Sequence, residues 1–263
     1  VISDDVPYGK DETENKVLRT VGSPTNFDFT PQDHVDLAQK LDLIELEKAG
    51  KISGSRFYYL KNEAVLLEFG IVNLVLKTLT DPKIIAKIAG KVDKKLSTKP
   101  FVPIIPPVFI RSNVMDRMSR LHPLDERYYL EKDDIVLIGS AEHTLGPLHM
   151  DEHLKEEELP IRYVGFSTSF RREAGTYGKD TRGIFRTHQF DKLEMDVVCH
   201  PEQSDKIYQE LLAINEWLLQ SLKLPYHLVN KCTGDGGYYA THYQCDPEVW
   251  LPGQQEFMEV MTD

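Results

Sequence analysis

The chain has 263 residues, 41% of them hydrophobic and 28% charged, enough to bury a sizeable core in one large domain or two small ones. A formal net charge of −11 excludes a general nucleic-acid-binding surface, so any polyanion must be gripped locally or by another part of the protein. The three cysteines, Cys199, Cys232 and Cys245, form no CxxC pair, which favours a reducing, cytoplasmic setting, and no apolar run approaches the roughly 18 residues of a membrane span.

In chain order, residues 1–32 are polar and rich in turn formers and read as an extended lead-in, docked by Phe27, Phe29 and Pro31. The opening VISDDVPYGKDETEN is acidic and lacks the apolar core of a signal peptide. Pro31 to Gly50 carries an apolar stripe (Val35, Ala38, Leu41, Ile44, Ala49) and predicts a helix, followed by a short aromatic strand over Ser55–Leu60. Asn62–Thr80 is the strongest helix, with Asn62 as N-cap. It is apolar on more than one side, as in a deeply buried helix or one at a subunit interface. Asp81–Leu96 predicts a small Lys-rich surface helix. Three prolines in FVPIIPPV, from Phe101 to Val108, fit a strand at a sheet edge or interface.

Beyond it, Ser112–Leu121 reads as helical, and Tyr128–Leu130 with Ile135–Ile138 as a hairpin. The stretch GSAEH (Gly139–His143) ends that strand and a short helix over Thr144–Leu154 follows. Arg162–Phe170 leads into a long hairpin: Phe166–Glu173, a Gly-bearing loop at Ala174–Gly183, and a returning strand over Ile184–Met195. Pro201–Leu222 predicts a helix, with Ile207, Leu211, Ile214 and Leu218 in phase. Tyr226–Lys231, Glu248–Leu251 and Phe257–Thr262 complete the strands. Strands with helices inserted between hairpins, without regular βαβ alternation, predict an α+β fold with a largely antiparallel sheet. No GxGxxG or GxxxxGKS/T loop occurs, so a bound nucleotide would be held by side chains.

The long hairpin concentrates cations on an acidic chain: Arg171, Arg172, Lys179, Arg182, Arg186 and Lys192. Guanidiniums fixed on strands suit phosphate oxygens, because their forked geometry makes paired, charge-assisted hydrogen bonds. His143, His149, His153 and His188 invite a zinc reading, and His149 and His153 are four residues apart, but no Glu follows His149 as in HExxH. Surface or capping histidines are the better reading, and no zinc is expected.

With these stretches together, the chain resembles the class II aminoacyl-tRNA synthetases, and within them the seryl-tRNA synthetases, nearly end to end. DDVPYGKDETEN, GSRFYYLKNEAVLLEFG, the proline strand, GSAEHTLGPLHMDE, the hairpin and DPEVWLPGQ occur in the family's order. The resemblance implies the class II catalytic fold, an antiparallel sheet flanked by helices. It also implies a homodimer, with the Asn62–Thr80 helix and the Pro103, Pro106 and Pro107 strand forming motif 1 at the interface. The implied reaction activates L-serine with ATP to seryl-adenylate and then passes the seryl group to the 3′ end of tRNA(Ser).

By the same resemblance, Arg171 is the motif 2 arginine bridging the α-phosphate and the serine carboxylate; alone it would read as half of a surface ion pair. Glu173 accepts from the adenine amino group, or else partners Arg172. Arg172 also lines the nucleotide, Arg186 contacts the outer phosphates, and adenine stacks on Phe190. Glu194 faces the serine hydroxyl. Ser140, Ala141 and Glu142 stand in the place of a Thr-x-Glu element contacting serine, with Ser140 keeping the hydroxyl and losing a methyl; Glu142 also suits the start of the following helix. Glu259 is the implied Mg²⁺ ligand, with Thr262 its hydroxyl partner and Val260 and Met261 beside the nucleotide.

A helical tRNA-binding arm before Val1, and motif 3 after Asp263, are implied but lie outside the sequence. Residues 1–32 are therefore expected to follow such an arm, and residues 33–263 to be a catalytic domain lacking motif 3, both as part of a longer chain. YYATHYQC, from Tyr238 to Cys245, departs from the family's more Ala/Lys-rich stretch. Two other readings stay open: an armless ligase loading an amino acid onto a carrier protein, and a non-catalytic paralogue kept for dimerisation or regulation.

Overall fold

A computed structural model of the chain describes residues 2–173, 183–236 and 241–262. Of the Gly-bearing loop expected at Ala174–Gly183, all but Gly183 lies outside the described residues. Along the chain come β1 (Lys16–Val21), α1 (His34–Lys40), β2 (Ile44–Glu45), α2 (Glu47–Ser53), β3 (Tyr59–Leu60) and the long α3 (Glu63–Thr80). Then follow α4 (Pro82–Val92), β4 (Val102–Ile104), β5 (Phe109–Arg111), α5 (Ser112–Arg117), β6 (Tyr129–Leu130), β7 (Ile135–Leu137) and α6 (Glu142–Leu145). The hairpin strands β8 (Ile161–Phe170) and β9 (Gln189–Val198) precede α7 (Ser204–Ser221), β10 (Tyr226–Asn230), β11 (Cys245–Leu251) and β12 (Glu256–Glu259). None of these helices is long and apolar enough to cross a membrane.

The chain divides into two compact units, one of residues 1–33, 88–96 and 205–263, the other of residues 34–87 and 97–204. In the first, β1, β10, β11 and β12 form an antiparallel sheet in that order. Its core gathers Leu212 and Leu219 of α7 with Tyr226, Leu228, Cys245 and Val249 of the sheet. The buried Tyr226 hydroxyl donates to Glu216 Oε1 at 2.8 Å, so it carries no unpaired polar cost.

In the second unit the sheet order is β4-β8-β9, beside smaller sheets β5-β7-β6 and β2-β3. β4 pairs with β8 in parallel and lies at the edge, where its proline removes no needed ladder bond. The other strand pairs are antiparallel, in accord with the α+β expectation. Ile110, Met115, Val136 and Ile138 form a local core.

Several boundaries differ from the sequence reading. β1 lies within the stretch read as lead-in; its residues are almost all exposed, so no apolar alternation marks it. The single helix expected over Pro31–Gly50 is α1, β2 and the start of α2. Asp42 takes a left-handed φ of 56°, and the Leu43 N–H bonds back to Ala38 O at 2.7 Å, which ends the first helix. Asn62 is not a side-chain cap: its Nδ2 donates to Asp42 O at 2.9 Å. The short helix expected over Thr144–Leu154 is α6 and a 3-10 turn at Gly146–His149. The returning strand begins at Gln189, not Ile184, and β12 ends at Glu259, so Val260, Met261 and Thr262 follow it outside the strand.

α3 is not deeply buried. Only Thr78 and Leu79 are buried, while Leu66, Leu67 and Phe69 are 72%, 64% and 60% exposed. On β8, Gly165 lets α6 lie directly against the strand: a Cβ there would come within 2.7 Å of Leu145 Cδ1 and 3.0 Å of Ala141 Cβ. Gly165→Val is therefore expected to destabilise the fold by about 1–3 kcal/mol, read as a lower urea midpoint, with Gly165→Ala milder. Equal midpoints for Gly165→Val and the parent would show that α6 has room to move.

Candidate active site

Strands β8 and β9 pair without a break from Ile161↔Val198 to Phe170↔Gln189. Side chains of a strand alternate between faces, so Phe190, Lys192, Glu194 and Asp196 share one face of β9. Opposite them on β8 stand Ser169, Ser167, Gly165 and Tyr163. Phe190, Lys192 and Glu194 therefore face the small Ser169, Ser167 and Gly165, which makes a shallow trough of this part of the face, while Asp196 stands opposite Tyr163.

At its loop end the Arg171 guanidinium lies 5.2 Å from the centre of the Phe190 ring, and its Nε donates to Gly139 O at 3.1 Å. Two backbone-directed bonds tie Arg171 to His188: its N–H donates to His188 O at 3.1 Å, and His188 Nδ1 donates to Arg171 O at 3.0 Å. Glu173, at φ 50°, brings Oε2 within 3.6 Å of Arg186 Nη1, and its carbonyl accepts from Arg56 Nη1 at 3.1 Å. The Arg172 guanidinium lies 5.4 Å from the centre of the Tyr128 ring.

Ser140, between β7 and α6, reaches the middle of the trough. Its hydroxyl donates to Glu194 Oε2 and accepts from the Glu142 N–H at 3.2 Å. Lys192 Nζ lies 2.6 Å from the same Glu194 oxygen and 3.4 Å from Ser140 Oγ. Glu142 is held by Arg120 at 2.6 Å, and the Arg120 carbonyl accepts from the buried Arg127 at 3.0 Å. Ala141 is fully buried against Gly165.

Further along β9, burial pushes the Asp196 carboxyl up to about 6, with the Glu142 and Glu194 charges adding to the shift and His149 opposing it. His149 is engaged by Tyr163 OH at 2.9 Å and Glu152 at 2.8 Å. Among the described residues no three His, Cys, Asp or Glu side chains are grouped to hold a metal ion.

Glu259 and Thr262 belong to the other unit. The Thr262 hydroxyl donates to Glu259 Oε1 at 2.9 Å, and Lys231 Nζ lies 3.6 Å from Oε2. Lys231 also meets Asp235 at 2.7 Å and the buried Asp246 at 3.4 Å. A half-exposed carboxylate with a hydroxyl beside it is a hard-oxygen donor set of the kind Mg²⁺ takes.

Residues 128–262 match the family model described as tRNA synthetase class II core domain (G, H, P, S and T). The chain belongs to that family. It is 41% identical over 263 residues to a serine--tRNA ligase of Dictyoglomus turgidum, and 40% identical over 252 residues to one of Corynebacterium glutamicum. Those alignments take in 99% and 95% of the chain but only 58% and 56% of the relatives, so the chain spans little more than half their length. Among solved structures it is similar to the seryl-tRNA synthetase of Pyrococcus horikoshii complexed with ATP, with a TM-score of 0.84 and 36% identity. That match covers 100% of the chain and 59% of the other. The cytoplasmic serine-tRNA ligase of Naegleria fowleri in complex with AMP gives a TM-score of 0.83 at 30% identity, with the same coverage of both chains.

Within this synthetase core, several members of the trough were not singled out by sequence. In the sequence Lys192 is one cation of the hairpin among several, and Asp196, Arg120 and Arg127 carry no motif. The period-two run Phe190, Lys192, Glu194, Asp196 was the available signal for two of them. Arg120 and Arg127 lie before β7 and reach the site only through tertiary packing.

The Asp196 shift has a stability consequence. A folded-state value raised to about 6 means that protonated Asp196 favours the fold at low pH, and that this contribution is lost as pH rises through about 6. Asp196→Asn is expected to gain about 2 kcal/mol over the parent above pH 7 and little at pH 4, read from urea unfolding at both values. The same difference at both pH values would place Asp196 in a more solvated setting.

Proposed function

We propose that this chain is the catalytic core of a serine–tRNA ligase, an ATP-dependent enzyme of protein biosynthesis acting in the cytoplasm as a homodimer. The observation that carries the reading is the trough itself, with Arg171 over Phe190 at one end and the Ser140–Lys192–Glu194 cluster in the middle. The 30–41% identity to seryl enzymes over essentially the whole chain supports it.

Adenine stacks on Phe190, and Glu173 accepts from its amino group. Arg186 meets the outer phosphates and Arg172 helps line the nucleotide. Arg171 bridges the α-phosphate and the serine carboxylate. One carboxylate oxygen then attacks the α-phosphorus, the bond to the β-phosphate oxygen breaks, and pyrophosphate leaves. Holding the two groups in line and meeting the developing charge with a fixed guanidinium are the main contributions the protein can make. In the second step the 3′-terminal ribose hydroxyl of tRNA(Ser) attacks the seryl carbonyl and AMP departs.

The serine end is read by Glu194, Ser140, Glu142 and the backbone at Ala141. Carboxylates suit the substrate ammonium, and a carboxylate accepting the serine hydroxyl is left short of a partner when alanine binds. Glu259 and Thr262, with Val260 and Met261 between them, are the residues that would hold Mg²⁺ and line the nucleotide. Bound there, the ion would supply charge neutralisation at the phosphates. No zinc takes part. Recognition of tRNA(Ser) falls largely to a helical arm outside residues 1–263, with residues 1–32 following that arm and residues 33–263 forming the catalytic domain, which motif 3 would complete.

Serine-dependent ATP–pyrophosphate exchange by the full-length protein tests the reaction. Exchange with serine, well above that with alanine or glycine, is expected, and Glu194→Gln should lower kcat/KM for serine by about 10- to 100-fold. No exchange with any amino acid would overturn the assignment.

The homodimer rests on the exposed Leu66, Leu67 and Phe69 of α3, with Ile105, just after β4, 83% exposed. Leu67→Glu with Phe69→Glu is expected to halve the mass measured by light scattering, whereas an unchanged mass would move the interface elsewhere.

A further inference from the structure

One buried histidine of the second unit has no part in the chemistry above. His143 is 6% exposed, and its ring folds back from α6 so that Nδ1 accepts from the Gly139 N–H at 3.1 Å. A nitrogen that accepts cannot carry the proton, so the neutral ring is protonated at Nε2. The carbonyl of the same glycine accepts from Arg171 Nε at 3.1 Å. Gly139 is thus gripped on its amino side by His143 and grips Arg171 on its carbonyl side.

The residue between the two bonds is one that needs holding. Glycine lacks the Cβ that limits backbone rotation, so only its neighbours and its bonds fix Gly139. Before it, the Ile138 N–H donates to Val108 O at 3.0 Å and Ile138 O accepts from Phe170 at 2.8 Å. After it, the His143 N–H donates to Ser140 O at 3.1 Å. A Cβ on Gly139 would already lie 3.4 Å from His143 Cε1 and 3.6 Å from Arg171 Cγ, so imidazole and arginine pack around it.

We propose that His143 is a positioning residue for Arg171, setting the direction of its guanidinium through Gly139 and so its aim at the α-phosphate and substrate carboxylate. The inference rests on the synthetase reading. The environment keeps the imidazole in its accepting form: burial, together with Arg127, Arg120, Arg171 and Lys192 around it, lowers its pKa to about 3. A protonated ring would lose the bond to Gly139 and add a further positive charge to that group.

The test compares His143→Leu with His143→Asn in the full-length protein, by serine-dependent ATP–pyrophosphate exchange and thermal unfolding. Asparagine can set its Oδ1 where Nδ1 stood and keep the acceptor, whereas leucine fills similar space without one. His143→Leu is expected to lose about 10- to 100-fold in kcat, with KM for ATP and serine within about threefold, as when a transition-state contact is misaimed. His143→Asn should recover most of that kcat even if both variants melt at the same lowered temperature. Unchanged kcat in His143→Leu, or equal kcat losses in both variants following equal losses of Tm, would overturn the proposal and leave the synthetase reading intact. A parent protein without serine-dependent exchange would overturn both.

Discussion

Successive side chains on a strand point to opposite faces, so the unbroken register from Ile161↔Val198 to Phe170↔Gln189 decides which groups can meet in the second unit. A slip of one residue would turn Phe190, Lys192, Glu194 and Asp196 away together. With the register kept, Phe190, Lys192 and Glu194 of β9 face Ser169, Ser167 and Gly165 of β8, and the trough follows from that difference in size. Gly165 extends the same logic to α6, because its missing side chain lets Ala141 come close and carries Ser140 to Glu194.

The charges in the trough are sorted along its length. Arg171 and Arg186 stand toward the loop end, while Glu194 and Asp196 follow farther along β9, with Glu142 joining them from α6. Lys192 sits at the boundary and shares the Glu194 oxygen with Ser140. A substrate with a carboxylate at one end and an ammonium at the other matches this ordering, and phosphate oxygens match the arginine end. On a chain with a net charge of −11, the cations gathered at this hairpin are a local arrangement.

Much of this was legible before the structure. The hairpin, its arginines, α3, α7 and the edge position of the proline strand all follow from periodicity, composition and the geometry of proline. The misses have physical causes. β1 is exposed along its length and joins the sheet through backbone bonds, which leave no apolar pattern. The helix over Pro31–Gly50 continues its apolar spacing through Asp42, whose left-handed turn is a backbone event that the spacing does not record. Asn62 has the chemistry of a cap, but the Asp42 carbonyl, distant in sequence, takes its amide. In the site, Phe190, Glu194 and Ser140 could be singled out by resemblance. The grip of Arg120 on Glu142, and of His143 on Gly139, depends on packing between elements that no short motif encodes.

The central claim is that one face of the β8–β9 hairpin holds an activated amino acid. The most direct measurement is a crystal structure of the full-length protein with a non-hydrolysable seryl-adenylate analogue. The account predicts adenine on Phe190, the phosphate mimic at Arg171, and the seryl hydroxyl or ammonium within hydrogen-bond reach of Glu194. An analogue bound away from this face, or bound with its seryl group turned from Glu194, would contradict it.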